Sequence, residues 1–194
     1  IELLRERNVD AILGADSLQK SLIAGIIGLG LVILFMVLYY RIPGLIAGVA
    51  LVIYTSIVLS ILKISPGNLT TLNLSGVAAL ILSIGMAVDA NILIFERMKE
   101  ELSQGRTVLS SINIGFNRAW PAIRDGNVST LITCGVLFWF SQQLGETILQ
   151  GFAVTLAIGV AISMFSAIVV SCTFLRILAN TSFGKKSFLY IPTK

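Results

Sequence analysis

Histidine is missing altogether, cysteine occurs twice, proline four times, and Asp, Glu, Lys and Arg together supply only 12% of the 194 residues. Each shortage excludes something. Without histidine, and with no GxSxG or HExxH string, the common hydrolytic triads and zinc-protease centres cannot be assembled. Cys134 and Cys172 stand far apart inside apolar runs with no CxxC spacing. They read as small packing residues, and neither a metal site nor a redox pair is expected. No cofactor is expected either. An ordinary soluble domain carries about 25% charged residues, roughly twice what is present, so that class is excluded as well. The net charge of +4 does not point to nucleic acid, because the Lys and Arg are scattered between apolar stretches and form no basic stripe with interleaved aromatics.

What the chain has in quantity is apolar sequence: 56% hydrophobic residues and a mean hydropathy of +0.92. A helix crossing about 30 Å of hydrocarbon needs about 20 mostly apolar residues. Five stretches supply such runs: Leu22 to Tyr40, Pro43 to Leu62, Leu72 to Phe95, Asn127 (or a little earlier, near Ile123) to Phe140, and Leu149 to Leu178. The expected fold is therefore all-α, a polytopic membrane bundle of about five transmembrane helices. Arg41-Ile42-Pro43-Gly44 predicts a tight hairpin, and Ser65 to Thr71 and Ser141 to Thr147 predict short polar turns. The opening stretch, Ile1 to Gln19, is polar and mixed in charge, unlike a signal peptide, and reads as part of a longer chain.

Cytoplasmic loops carry the excess of Lys and Arg. Arg41, Arg97, Lys99, Arg106, Arg118, Arg124, Arg176, Lys185, Lys186 and Lys194 gather on one side, against Arg5, Arg7, Lys20 and Lys63 on the other. The first side should be cytoplasmic and hold the carboxyl terminus. Between the third and fourth spans, the connection Glu96 to Asp125 carries Val108, Ile112, Phe116 and Trp120 at helical spacing. It reads either as a helix along the cytoplasmic surface or as a solvated elbow, with Pro121 expected to end or kink it.

One carboxylate lies inside a span. A charge at such depth costs about 2.5 kcal/mol or more, so these groups usually face a bundle interior or a wet cavity and mark ion or proton paths. Asp89 is thus the candidate proton carrier, shut off from water and with its pKa expected to rise on desolvation; the structural alternative is a hydrogen bond to a neighbouring helix. Candidate polar neighbours are Asn91, Asn127, Thr130 and Thr133, although Asn91, two residues on, points elsewhere. Arg97 and Glu101, four apart, read as a solvated surface pair. Small residues recur every four positions at Gly44 and Gly48, at Ala153, Ala157 and Ala161, and from Gly159 through Ser163 and Ala167 to Ser171, a pattern that lets helices approach closely.

The string GMAVDANILIFERMKEEL, Gly85 to Leu102, resembles a transmembrane motif of the SecD family, with Val88, Asp89, Ala90, Phe95, Glu96 and Arg97 its distinctive members. Leu13 to Ser17, the Asp125 to Ile132 part of Ile123 to Ile132 (similar to DxNxTTLI), and Gly151 to Leu156 resemble further family segments in the same order. The related SecF pattern has an SxND core and a DR pair, which this chain lacks. It also departs from the SecD pattern at Gly126, Asn117 to Pro121 and Ser141 to Gln150. The resemblance implies half of a membrane domain of the resistance–nodulation–division type, in a bacterial or thylakoid-type membrane. Residues 1–17 would be the tail of an absent extracytoplasmic domain, 18–178 the bundle with a cytoplasmic elbow at 96–125, and 179–194 a cytoplasmic tail. It further implies a SecF-like partner, the SecYEG translocon, preprotein as substrate, membrane lipid as surroundings, and Asp89 as the carboxylate of proton-driven export. A proton-coupled small-molecule exporter and a structural translocon scaffold are the alternatives.

Overall fold

The computed structural model describes residues 2–64 and 74–180, and within them the side chains of residue 17 and of residue 19 onward. The expected turn Ser65 to Thr71 and nearly all of the carboxyl tail lie outside the described residues. Six helices follow in order: α1 Glu2–Tyr40, α2 Ile42–Ile64, α3 Leu74–Ser103, α4 Val108–Leu144, α5 Thr147–Phe165 and α6 Cys172–Asn180. A π-helical turn, Ser166–Ser171, joins the last two. No strand occurs among the described residues. Four helical stretches are long and apolar enough to cross a membrane: Gln19–Tyr40, Ile42–Ile64, Leu74–Ser103 and Thr147–Asn180. The chain is an all-α membrane bundle.

Its exterior supports that reading. Ile26, Leu31, Leu38, Ile64, Ile132 and Ile148 are each more than 60% exposed, and a continuous apolar surface of this kind suits lipid rather than water. The hairpin between α1 and α2 is as tight as Arg41-Ile42-Pro43-Gly44 predicts. Arg41 is the sole residue between the helices, in the left-handed region at φ 52°, and Gly44 lies against the Met36 carbonyl.

α3 sits at the centre, packed against α1, α2, α4, α5 and the π turn. Its inward stripe of Ala87, Asn91, Ile94 and Met98 repeats at three to four residues and is buried. The small-residue stripe of the last span does what its spacing predicts. A Cβ on Gly159 would stand 2.6 Å from the Ser83 side chain and 3.1 Å from the Tyr54 hydroxyl, so only glycine lets α2, α3 and α5 meet here. Tyr54 Oη donates to Ser83 Oγ at 2.8 Å, and Ser83 Oγ donates to the Leu80 carbonyl at 2.7 Å. The crossing is thereby satisfied internally, as hydrocarbon surroundings require.

Two sequence expectations change. Pro121 does not end a helix: α4 runs through it from Val108 to Leu144. Proline removes one hydrogen bond from the ladder, but the packing of α4 on α3 holds the helix on both sides of the gap. The connection beyond Glu96 is therefore the end of α3, a short turn, and the first half of α4. The apolar residues at helical spacing serve that packing rather than a flat surface helix. Val108 and Ile112 are buried, and the rings of Phe116 and Trp120 stack 6.1 Å apart against the core. The second change concerns Leu149 to Leu178, which forms α5, the π turn and α6 rather than one uniform helix. The π turn brings both Ser166 and Ser171 to the inside. Ser166 Oγ donates to the Ala50 carbonyl at 3.4 Å and Ser171 Oγ to Asn91 Oδ1 at 2.7 Å. Five residues apart, these two positions would diverge by about 140° on an α-helix; the wider π geometry aligns them.

Candidate functional site

Asp89 lies on the face of α3 opposite its buried stripe, with Val88 and Ala90 buried on either side. It borders an open cleft of about 260 Å³ between α3 and α4, shared with Met86, Ala90, Leu93, Ala122, Ile123, Gly126, Asn127 and Thr130. The chain by itself does not enclose this carboxylate: Asp89 is exposed at the cleft. Helical periodicity is the reason. Ala87, Asn91 and Ile94 take the inward face, and Asp89, two residues from both Ala87 and Asn91, lies about 160° around the helix from each.

The four candidate neighbours separate. Asn127 and Thr130 line the cleft with Asp89. Their polar hydrogens turn to their own helix: Asn127 Nδ2 donates to the Ile123 carbonyl at 2.9 Å and Thr130 Oγ1 to the Gly126 carbonyl at 3.1 Å. Thr133 is exposed, outside the cleft lining, and donates to the Ser129 carbonyl at 3.1 Å. Asn91 faces the other way, buried, donating to the Ala87 carbonyl at 3.2 Å and accepting from Ser171. It ties α3 to the π turn and does not join Asp89.

About two helical turns along α3 lies a charged end of the bundle. Glu96 accepts from Tyr40 Oη at 2.9 Å, Lys99 stands 3.7 Å from the same carboxylate, and the Phe95 ring lies 5.5 Å from that of Tyr40. Arg97 pairs with Glu100 at 2.9 Å, not with Glu101 as expected. Glu101 instead turns inward, its side chain only 4% exposed, onto Arg118 of α4 and onto Arg106, 2.9 Å away. The signal was in the sequence, since Glu101 continues the buried stripe of Ile94 and Met98 at helical spacing. Its partner could not be read there, because Arg118 lies 17 residues away across a turn. Near this clamp α3 and α4 approach closely: a Cβ on Gly115 would stand 2.7 Å from the Met98 nitrogen.

Depth can be read from these contacts. Glu96 and Asp89 are seven residues apart, about 10 Å along the axis. The site is thus a carboxylate about 10 Å inward from the charged end, beside a groove of small and polar residues on α4.

Residues 1–181 match the family described as protein export membrane protein SecD/SecF, C-terminal. The chain belongs to the SecD/SecF family. Proteins named protein translocase subunit SecD are similar over nearly its whole length. That of Thermobaculum terrenum is 52% identical over 93% of this chain and 34% of its own. That of Dehalococcoides mccartyi is 48% identical over 98% of this chain and 42% of its own. The Synechocystis protein is 48% identical over 92% and 36%. The chain therefore spans about two fifths or less of the length of these curated relatives. It corresponds to the carboxyl-terminal membrane portion of a SecD-type subunit, a multi-pass membrane segment of a protein translocase. The choice of SecD over SecF, read from Val88-Asp89-Ala90-Asn91 followed by Glu96-Arg97, agrees with these relatives.

Proposed function

We propose that this SecD-type membrane portion uses the proton motive force to drive late steps of preprotein translocation and release, with Asp89 as the group that gains and loses the proton. The observation that carries the reading is the placement of Asp89: a lone carboxylate about 10 Å inward from the charged end, open to a cleft whose other polar lining residues are Asn127 and Thr130. A neutral and a charged carboxyl prefer different neighbours, so protonation biases how closely a facing surface docks. Moving one proton charge through 100 mV makes about 2.3 kcal/mol available, enough to shift a rocking equilibrium of packed helices.

An open carboxylate on a membrane helix calls for cover, and a SecF-like half completing the bundle beside α3 and α4 is the partner proposed, acting with SecYEG. In this reading the charged end and the carboxyl terminus face the cytoplasm, which the Lys and Arg asymmetry supports, and the membrane is a bacterial plasma membrane. Arg97, Glu100 and Glu101 have structural roles in this reading.

The test is Asp89→Asn in the full-length subunit within its intact complex. The substitution keeps shape and hydrogen-bonding capacity but removes the titratable group. Gradient-dependent release of a preprotein from membrane vesicles is expected to stop while insertion and complex assembly persist. Asp89→Glu, which displaces the carboxyl by one methylene, is expected to restore it only partly. Normal release by a stably inserted Asp89→Asn complex would leave Asp89 a structural residue and favour the scaffold reading.

A further inference from the structure

The last span is pinned along α5 and loosely seated along α6, and the π turn divides the two. Gly159 does the pinning, because the Cβ of any other residue would meet the Ser83 side chain at 2.6 Å. Burial on the inward face steps by four from Thr155 and Leu156 to Gly159 and Val160. It steps by five from Ser166 and Ala167 to Ser171 and Cys172, then by four again through Leu175 to Ala179. The longer step holds one residue more than an α-helix uses. Beyond the π turn each residue therefore stands where its predecessor would stand in a continuous α-helix.

Without that extra residue, Val170, Phe174 and Leu178 would take the inward places now held by Ser171, Leu175 and Ala179. All three are apolar. Val170 and Leu178 are half-buried and Phe174 is 39% exposed, and lipid tails are as apolar as a leucine side chain, so turning these residues inward changes little in solvation. Burial does not choose between the two registers. Polar bonds do. Ser171 Oγ donates to Asn91 Oδ1 of α3, and Arg176 Nε donates to Asn113 Oδ1 of α4 at 3.0 Å. A one-residue shift sets Val170 against Asn91, whose amide oxygen then lacks a donor where no water replaces it. There is also room to turn. On its α2 side α6 borders an apolar groove of about 270 Å³ with Leu45, Ile46 and Val49, and at its end Ala179 and Asn180 border a cavity of about 520 Å³ beside the α3–α4 turn.

We infer that the π turn is a register switch: α6 turns by one residue against a fixed α5, exchanging Ser171 for Val170 at Asn91 and releasing Arg176 from Asn113. Because α3 and α4 each hold α6 by one of these bonds, a movement of either helix that breaks its bond favours the α register. The turn changes the face that α6 presents to α2 in the groove, Phe174 giving way to Thr173. Asn91 lies on the side of α3 away from Asp89, and the switch does not depend on Asp89 carrying a proton.

The experiment is cross-linking in the full-length subunit, within its complex in native membranes. A membrane-permeant bis-methanethiosulfonate that spans the groove joins Val49→Cys to Phe174→Cys in the π register and Val49→Cys to Thr173→Cys in the α register. Free thiols are counted after denaturation, and variants carrying only one of the new cysteines set the background from Cys134 and Cys172. Adding Ser171→Ala is expected to lower the Phe174 cross-link and to raise the Thr173 cross-link at least about threefold, which is what losing an average interhelical hydrogen bond in a membrane amounts to. Deleting Val169 closes the span into an α-helix with Ser171 still facing Asn91, so it keeps the packing and locks the register. That variant is expected to insert, to form the Phe174 cross-link with or without Ser171→Ala, and to lose most preprotein export in cells depleted of the native subunit. A Thr173 cross-link that stays at background in Ser171→Ala overturns the switch, as does normal export by the Val169 deletion. If the deletion variant fails to insert, the cross-links alone decide.

Discussion

Replacing Gly115 by alanine probes the contact that sets the distance between the two helices of the cleft. A Cβ there would stand 2.7 Å from the Met98 nitrogen, 2.8 Å from its Cα and 3.1 Å from the Arg97 carbonyl carbon. These are backbone atoms of α3, so no side-chain rotation relieves the clash and the two helices must part. Overpacking of this kind costs about 1–3 kcal/mol, with the upper half of the range expected where backbone must move. Alanine returns up to about 1 kcal/mol through its helix preference over glycine. The net loss is then about 1–2 kcal/mol, read as a lower Tm. Gly135→Ala is the control on the same helix, because nothing lies within 4 Å of its Cβ position, and it should be neutral or slightly stabilising. The assay is thermal unfolding of the purified full-length complex in detergent, followed by circular dichroism. Equal Tm values for Gly115→Ala and Gly135→Ala would refute the close approach of α3 and α4.

Three further outcomes follow from the same contacts. Arg118→Met or Arg106→Met alone leaves Glu101 one arginine and is expected to cost about 1–2 kcal/mol, whereas the double variant strands a buried carboxylate and should cost about 3–5 kcal/mol, more than the sum; simple additivity in the same unfolding assay would show that the two arginines act independently. Ser171→Ala deprives the buried Asn91 Oδ1 of its donor and should cost about 0.6–1.7 kcal/mol, the range for interhelical hydrogen bonds in membranes. Asn91→Ala/Ser171→Ala should fall short of the sum of its single variants, and additivity would mean that the 2.7 Å bond contributes nothing. Finally, Gln104→Cys and Glu146→Cys sit in turns at opposite ends of α4, so in intact cells an impermeant thiol reagent should reach the second and not the first; the reverse pattern would invert the proposed orientation.

Composition and hydrophobic run length by themselves determined that this chain is an all-α membrane bundle, because crossing hydrocarbon demands long apolar helices whatever surrounds them. The hairpin at Arg41, the close-packing stripe from Gly159 to Ser171 and the family assignment from Gly85 to Leu102 were legible for the same reason: each is a local pattern whose meaning does not depend on distant residues. Asp89 was legible as the odd charge in its span, and its exposure at the cleft was not. Which way it faces depends on which side of α3 the other helices occupy, and that follows from α4 and α5 rather than from the span itself. Pro121 announced an end or a kink, and α4 does not end there, since packing on α3 outweighs one lost hydrogen bond. Glu101 looked like a surface partner of Arg97 because sequence spacing sees only its own helix. Its burial under Arg118 and Arg106, the bond from Ser171 to Asn91 across 80 residues, and the cleft that gathers Asp89 with Asn127 and Thr130 were decided by tertiary structure alone, because each joins groups whose nearness is created only when separate helices pack.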